Sequence, residues 1–387
     1  MKPVASRRLL LLGFGTVGKE LARLLLARKD WLGSQGLAFP VTGILTRTRG
    51  LLADPAGLDL KEALEWAAAP SPGGVGPVPS GPPGPGAASG AALAIDLVRE
   101  FPADIVVELT PLRVDARGEP AVSHVRAALA AGRHVVTANK GPVAWAFREL
   151  SALARAKGRR FLFESTVMDG TPVFSLARRT LSGCRLLACR GVVNSTTNYV
   201  LGRIAQGLTL TEAVKEAQAG GFAEADPSLD LEGWDAAVKI ACLANVLLGL
   251  EVRPEQVDRT GITGITAEDL AREARRGRVV KLVAAAARPG SEGLVGLDRP
   301  VCPADTVGSA SRERRFPARV GPEALPAGDI LALTEGTSSA LTLYTDLMGP
   351  ITVFEHSPVP AQTAYGVFRD LLEIAEADSG TEIAEVD

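Results

Sequence analysis

Two hydrophobic periods alternate along the first part of the chain. Arg8 to Leu12 is a basic residue followed by an unbroken apolar run, which predicts a short strand buried on both faces. Lys19 to Arg28 places Leu21, Leu24, Leu25 and Leu26 at helical spacing, so it predicts a helix with that stripe turned inward. Val41 to Thr46 predicts a second strand. Asp104 to Thr110 (DIVVELT) and His134 to Asn139 (HVVTAN) predict two more, with a helix over Glu119 to Ala131 between them. Short apolar strands separated by amphipathic helices imply a parallel sheet covered on both faces.

The pattern then changes. Pro142 to Lys157 predicts a helix, and Arg160 to Ser165 and Leu186 to Asn194 predict strands. Thr209 with Glu212, and Thr266 with Asp269, are capping-box pairs that predict helix starts. Ile330–Leu333, Ser339–Tyr344 and Pro350–Glu355 read as strands, and Ala364–Ala377 as a closing helix. Between Ala69 and Ala91 the chain is almost wholly Pro, Gly, Ala and Ser, which cannot bury apolar area and predicts a flexible insertion over 70–91.

A chain of 387 residues with 46% apolar side chains has material for two cores. Its formal charge of -2 supplies no attraction to nucleic acid or an anionic membrane. Cys184, Cys189, Cys242 and Cys302 show no C-x-x-C spacing and His is scarce, which argues against a disulfide framework or a zinc site. The start, MKPVASRRLLLLGFG, imitates a signal peptide, but its apolar run breaks at Gly13. No window approaches the ~18 apolar residues that a membrane span needs. A soluble, reduced, cytoplasmic protein is expected.

Gly13-Phe14-Gly15-Thr16-Val17-Gly18 fits G-x-G-x-x-G, and it sits between the first strand and the first helix, the context that gives this otherwise common pattern meaning. Gly13 permits the tight turn, Gly15 lets backbone approach a pyrophosphate, and Gly18 lets helix and strand pack closely. The helix start supplies N–H groups to the anion. The second strand ends in GILTRTRG, with Arg47 and Arg49 and no carboxylate before Asp54. Basic side chains there suit the 2′-phosphate of NADP, with NAD remaining open.

These signals predict an α/β chain with an N-terminal Rossmann dinucleotide-binding domain over 1–142. An α+β catalytic and dimerisation domain follows over 143–349, and 350–387 returns to the first domain.

The stretch GGFAEADPSLDLEGWDAAVK (Gly220–Lys239) collects carboxylates at the mouth of an apolar helix. From Trp234 to Leu250 the only charged side chains are Asp235 and Lys239, which project from one helical face at i and i+4. Burial disfavours a charged amine and a neighbouring carboxylate favours it, and that tension makes a Lys usable as an acid/base. An ordinary surface ion pair has the same spacing.

TANKGP (Thr137–Pro142), ESTVMDGTPVF (Glu164–Phe174), NSTTNY (Asn194–Tyr199), the Gly220–Lys239 stretch and RTGITGI (Arg259–Ile265) together resemble homoserine dehydrogenase, in that family's order. The resemblance implies reversible NAD(P)-dependent interconversion of L-homoserine and L-aspartate 4-semialdehyde. It implies Lys239 as acid/base, Asp235 as the group that orients it, and Glu224, with Asp230, at the substrate's amino end. Lys140 would lie near the nicotinamide and the substrate oxygen, as the rival for proton transfer, and Thr110 would touch the cofactor. Glu164, Val167, Asp169 and Thr171 fall in a stretch similar to the family's monovalent-cation loop, where sodium would be held mostly by backbone carbonyls. A homodimer through the second domain is implied as well.

Hydride transfer to an aldehyde needs a proton donor, an anchor for the α-ammonium and a bound nicotinamide, which fits the same residues. No Cys sits where a thioester would form, against a phosphorylating semialdehyde dehydrogenase. His124 and His134 are expected to pack or face solvent. The chain departs from the family at Ser195, where Gly is usual, and in Ser357–Phe368, which keeps Thr363 and Ala364 but lacks the usual glycines. A monofunctional form without a C-terminal regulatory domain is expected. Two alternatives stand beside this reading: another NADP-linked oxidoreductase of a small amino acid, and a non-catalytic dinucleotide sensor.

Overall fold

Leu9–Leu12, four leucines each no more than 1% exposed, form the centre of a six-stranded sheet in the computed structural model, which describes residues 5–69, 90–297 and 317–379. The chain divides into two units, Met1–Pro172 with Val359–Asp387, and Val173–Pro358.

The first unit runs β1 (Ala5–Ser6), β2 (Leu9–Leu12), α1 (Thr16–Ala27), α2 (Lys29–Ser34) and β3 (Leu37–Ala38). It continues through β4 (Val41–Thr46), β5 (Gly50–Ala53), α3 (Leu60–Ala68), α4 (Gly90–Glu100) and β6 (Ile105–Glu108). Then come α5 (Ala121–Ala130), β7 (His134–Thr137), α6 (Gly141–Ala156) and β8 (Phe161–Leu162). The sheet order is β5-β4-β2-β6-β7-β8, parallel except where β5 folds back against β4. Fully buried strands account for the continuous apolar runs.

The second unit comprises α7 (Phe174–Thr180), β9 (Leu186–Val192), α8 (Ser195–Ala205), α9 (Leu210–Ala219), α10 (Ser228–Leu231) and α11 (Trp234–Leu247). It is completed by β10 (Asp258–Arg259), α12 (Ala267–Ala274), β11 (Arg278–Ala287), β12 (Ala318–Pro326), β13 (Ser339–Thr345) and β14 (Pro350–Glu355). Its sheet has the order β10-β12-β11-β9-β13-β14, antiparallel apart from β10 against β12. The chain then re-enters the first unit as α13 (Pro360–Ser379), whose Ala364, Val367, Phe368 and Leu371 join the core cluster holding Leu21 and Leu25 of α1.

The expected domain boundaries need correction at both ends. The first unit extends to Pro172 rather than 142, because β8 pairs in parallel with β7 and extends the first sheet. The return begins at Val359 rather than 350, because Pro350–Glu355 pairs with β13 inside the second sheet. Ile330–Leu333 is a turn, not a strand. Asp329 Oδ1 accepts from Leu331 N at 2.9 Å and its carbonyl accepts from Ala332 N at 2.9 Å, which curls the backbone out of any ladder. Residues 70–89 of the expected insertion lie outside the described residues, while Gly90 and Ala91 open α4. Both capping boxes form, Thr209 with Glu212 and Thr266 with Asp269.

Candidate active site

In the first unit, the Gly13–Gly18 turn joins β2 to α1. Gly13 has φ +98°, and a Cβ there would lie 2.7 Å from the Leu109 carbonyl oxygen, so only glycine fits. Gly15 is exposed, at the N-cap of α1, with nothing within 4 Å of a notional Cβ and no side chain capping the helix. Open space beside a helix start is what an approaching phosphate needs. A Cβ on Gly18 would meet the Phe14 ring at 3.1 Å and the Gly13 oxygen at 3.2 Å, so the turn is closed from inside. Phe14 turns its ring into the core, and Val17 packs against that core. Among the fingerprint positions, Gly15 and Thr16 are the exposed ones.

Behind the turn, Thr110 donates its N–H and hydroxyl to the fully buried Glu108 carboxylate. Asn139 Nδ2 donates to Thr110 O at 2.8 Å, and Asn139 Oδ1 accepts from Gly141 N at 2.8 Å. One amide therefore ties the ends of β6 and β7 together and sets the backbone on either side of Lys140. Lys140 itself is half-buried at the N-cap of α6. The two histidines of this unit pack: His124 Nδ1 lies 3.4 Å from Glu108, and His134 Nδ1 accepts from Arg160 N at 3.1 Å. Of the two basic residues after β4, Arg47 is exposed, whereas Arg49 donates to Ala67 and Ala69 carbonyls and lies 5.5 Å over the Trp66 ring.

The residues Glu164 to Thr171 also lie in the first unit. Glu164 and Val167 are buried, and Met168 and Asp169 take left-handed backbone. The loop is held to α13: Glu164 N donates to Asp370 at 2.9 Å and Thr363 hydroxyl donates to Asp169 at 2.6 Å. Thr171 N closes the turn onto Met168 O at 2.9 Å.

The second unit holds the amine. Lys239 Nζ lies 3.1 Å from Asp235 Oδ2 and donates to Val193 O at 2.6 Å. The side chain is only 16% exposed, so this is not a free surface pair. Asn194, the N-cap of α8, accepts from Thr197 N, and its Nδ2 donates to Asp230 at 2.6 Å and to Asp235 at 2.9 Å. A single amide thus spans two carboxylates, one on α10 and one on α11. Burial pushes the Asp230 carboxyl above its ordinary pKa, and the Asp235 charge pushes the same way, partly opposed by Asn194. Asn194 carries no charge and its motif reads as an ordinary helix cap, so the sequence does not single it out. Glu224 stands apart from this group, exposed in the loop after α9, with its carbonyl accepting from Gln218.

A sequence profile described as homoserine dehydrogenase matches residues 172–372, and one described as the homoserine dehydrogenase NAD binding domain matches residues 85–164. The NAD(+)-dependent homoserine dehydrogenase of Pseudomonas canavaninivorans is 33% identical over 371 residues, covering 96% of each chain. Among solved structures, the putative homoserine dehydrogenase of Archaeoglobus fulgidus superposes with a TM-score of 0.76 at 32% identity, over 95% of this chain and 99% of that one. A hyperthermophilic archaeal homoserine dehydrogenase in complex with NADPH gives 0.73 at 27% identity, over 96% and 98%. Near-full-length identity at this level, on a matching fold, shows that the chain belongs to the homoserine dehydrogenase family of NAD(P)-dependent oxidoreductases acting on a CH–OH group.

Proposed function

We propose that the chain interconverts L-homoserine and L-aspartate 4-semialdehyde, with Lys239 moving the hydroxyl proton. The observation that carries this reading is the shielded Lys239–Asp235 pair joined through Asn194 to Asp230. Lys239 is held by a carboxylate and a backbone carbonyl, which fixes its ammonium in place before any substrate arrives. Asp230, with Glu224 from the exposed loop, offers carboxylate charge to the substrate's α-ammonium. The nicotinamide, when bound, supplies the hydride acceptor or donor. Gly13 to Gly18 would hold its pyrophosphate, Thr110 and Lys140 the reactive end.

The 2′-phosphate argument for NADP rests on Arg47, since Arg49 is engaged by the end of α3. Replacing Arg47 by Ala is expected to raise KM for NADPH about tenfold while leaving NADH within about twofold, the loss of one charge-assisted contact. An equal effect on both cofactors would remove the argument. The Glu164–Thr171 loop, buried from Glu164 to Met168 and half-buried beyond, supports a monovalent cation held by main-chain carbonyls, as such ions exchange their water for carbonyl oxygens.

A homodimer through the second unit is supported by its outer strand, β14, where Phe354 is 41% exposed, and by Leu347 and Met348 at 72% and 63% in the preceding turn. A monomer mass in solution would remove that proposal. We place the enzyme in the cytoplasm, and none of the described helices is long and apolar enough to cross a membrane. The test of the whole reading is NADPH absorbance followed with homoserine or aspartate semialdehyde, with and without sodium or potassium. Absence of turnover with either substrate would favour the dinucleotide sensor.

A further inference from the structure

The RTGITGI motif contains no group placed for chemistry, yet it lies against the link between the two carboxylates of the second unit. Asp230 sits in α10 and Asp235 in α11, and four residues, Leu231 to Trp234, connect them. Three of the four are bonded or stacked by the segment Arg259–Ile262, and the fourth, Gly233, lies against it. Ile262 N donates to Leu231 O at 2.8 Å. The Arg259 guanidinium donates to Glu232 O and stacks on the Trp234 ring with its carbon 4.0 Å from the centroid. Gly233, left-handed at φ +80°, has Arg259 Cγ 3.5 Å and Val320 Cγ1 3.3 Å from a notional Cβ. A Cβ on Gly261 would lie 2.3 Å from Leu231 O and 2.6 Å from Glu232 Cα, so that segment can approach the turn only as glycine.

This segment is itself anchored. Arg259 pairs with Val320 of β12, and Thr260 N donates to Val320 O at 2.8 Å. The sheet therefore supports Arg259, Arg259 supports the turn, and the turn sets the spacing of Asp230 from Asp235. That spacing is what lets one Asn194 amide reach both, at 2.6 and 2.9 Å.

We infer that Arg259, wedged with Gly261 under the Leu231–Trp234 turn, is a positioning residue that fixes the substrate-binding carboxylate of Asp230 relative to the Asp235–Lys239 proton-transfer pair. The inference rests on the functional reading above. Small displacements of positioned groups cost rate steeply, so Arg259→Ala should raise homoserine KM and lower kcat by about tenfold each, with NADPH Kd within about twofold. Arg259→Lys keeps a cation to lie over Trp234 and should recover part of both losses. A crystal structure of Arg259→Ala supplies the arm that does not depend on turnover, and it should show the turn rebuilt and Asn194 no longer spanning both carboxylates.

Unchanged KM and kcat in Arg259→Ala would overturn the inference, as would an unchanged turn in its structure or an NADPH loss as large as the homoserine loss. Wild-type protein that fails to oxidise homoserine would instead remove the functional reading, and the crystal structure would still judge the wedge.

Discussion

Lys239→Ala is expected to lower kcat for homoserine oxidation by about three orders of magnitude, within the range that a positioned acid/base contributes. NADPH affinity should stay within about twofold, because Lys239 is assigned to the substrate's proton and the Gly13–Gly18 turn to the pyrophosphate. The variant loses more than a proton carrier. Asp235 is only 17% exposed and would keep its Asn194 bond while losing the ammonium 3.1 Å away, a stability cost on the order of 1–3 kcal/mol. A melting curve taken beside the kinetics separates that cost from the catalytic one. Lys239→Arg tests the chemistry more sharply, since guanidinium preserves the charge but does not give up its proton near neutral pH. Turnover close to wild type in Lys239→Ala would hand the proton to Lys140, the rival at the start of α6. If Lys140→Ala also loses turnover, a kcat that falls further in Lys239→Ala supports the assignment.

The first sheet was legible because its strands are buried on both faces, so their apolar runs are unbroken. Val41–Thr46 is observed with the bounds its pattern predicts, and Leu9–Leu12 and His134–Thr137 fall within theirs. The second sheet was less so. Its inner strand, β11, ends in Val283 followed by four alanines, all buried, and alanine carries no strand preference of its own. Its neighbour β12 contains Gly321 and Pro322, which read as breakers. Proline is tolerated there because, among the described residues, β10 pairs only with Arg319 and Val320, leaving β12 an outer strand beyond them. Both strands are specified by what packs around them, not by local propensity.

The candidate residues divide in the same way. Asp235 and Lys239 share one helix face, so four residues of sequence carry their relation. Asn194 reaches Asp230 and Asp235 across 36 and 41 residues, and nothing in a local window reports that return. Arg49 was expected with Arg47 from its place after the second strand, where a basic side chain suits a 2′-phosphate, and carbonyls at the end of α3 engage its guanidinium.

Gly15→Val is expected to raise the NADPH Kd at least about tenfold, or about 1.4 kcal/mol, while leaving the fold intact. The argument comes from contrast with Gly13 two residues earlier. At Gly13 a Cβ meets the backbone of Leu109 at 2.7 Å and φ is +98°, so Gly13→Ala adds a clash to a left-handed cost of roughly 1–2 kcal/mol. The atoms it strikes lead directly to Thr110, so fold and binding should fail together there. At Gly15 the backbone is extended, with φ -78°, and no heavy atom beyond its two chain neighbours lies within 4 Å of the added carbon. Whatever a side chain excludes at Gly15 is therefore something outside the chain, approaching the exposed start of α1. A Gly15→Val protein that melts like wild type yet binds NADPH poorly isolates that exclusion from folding. If it binds NADPH normally, the phosphate does not sit against this turn, and the dinucleotide must be held elsewhere in the first unit.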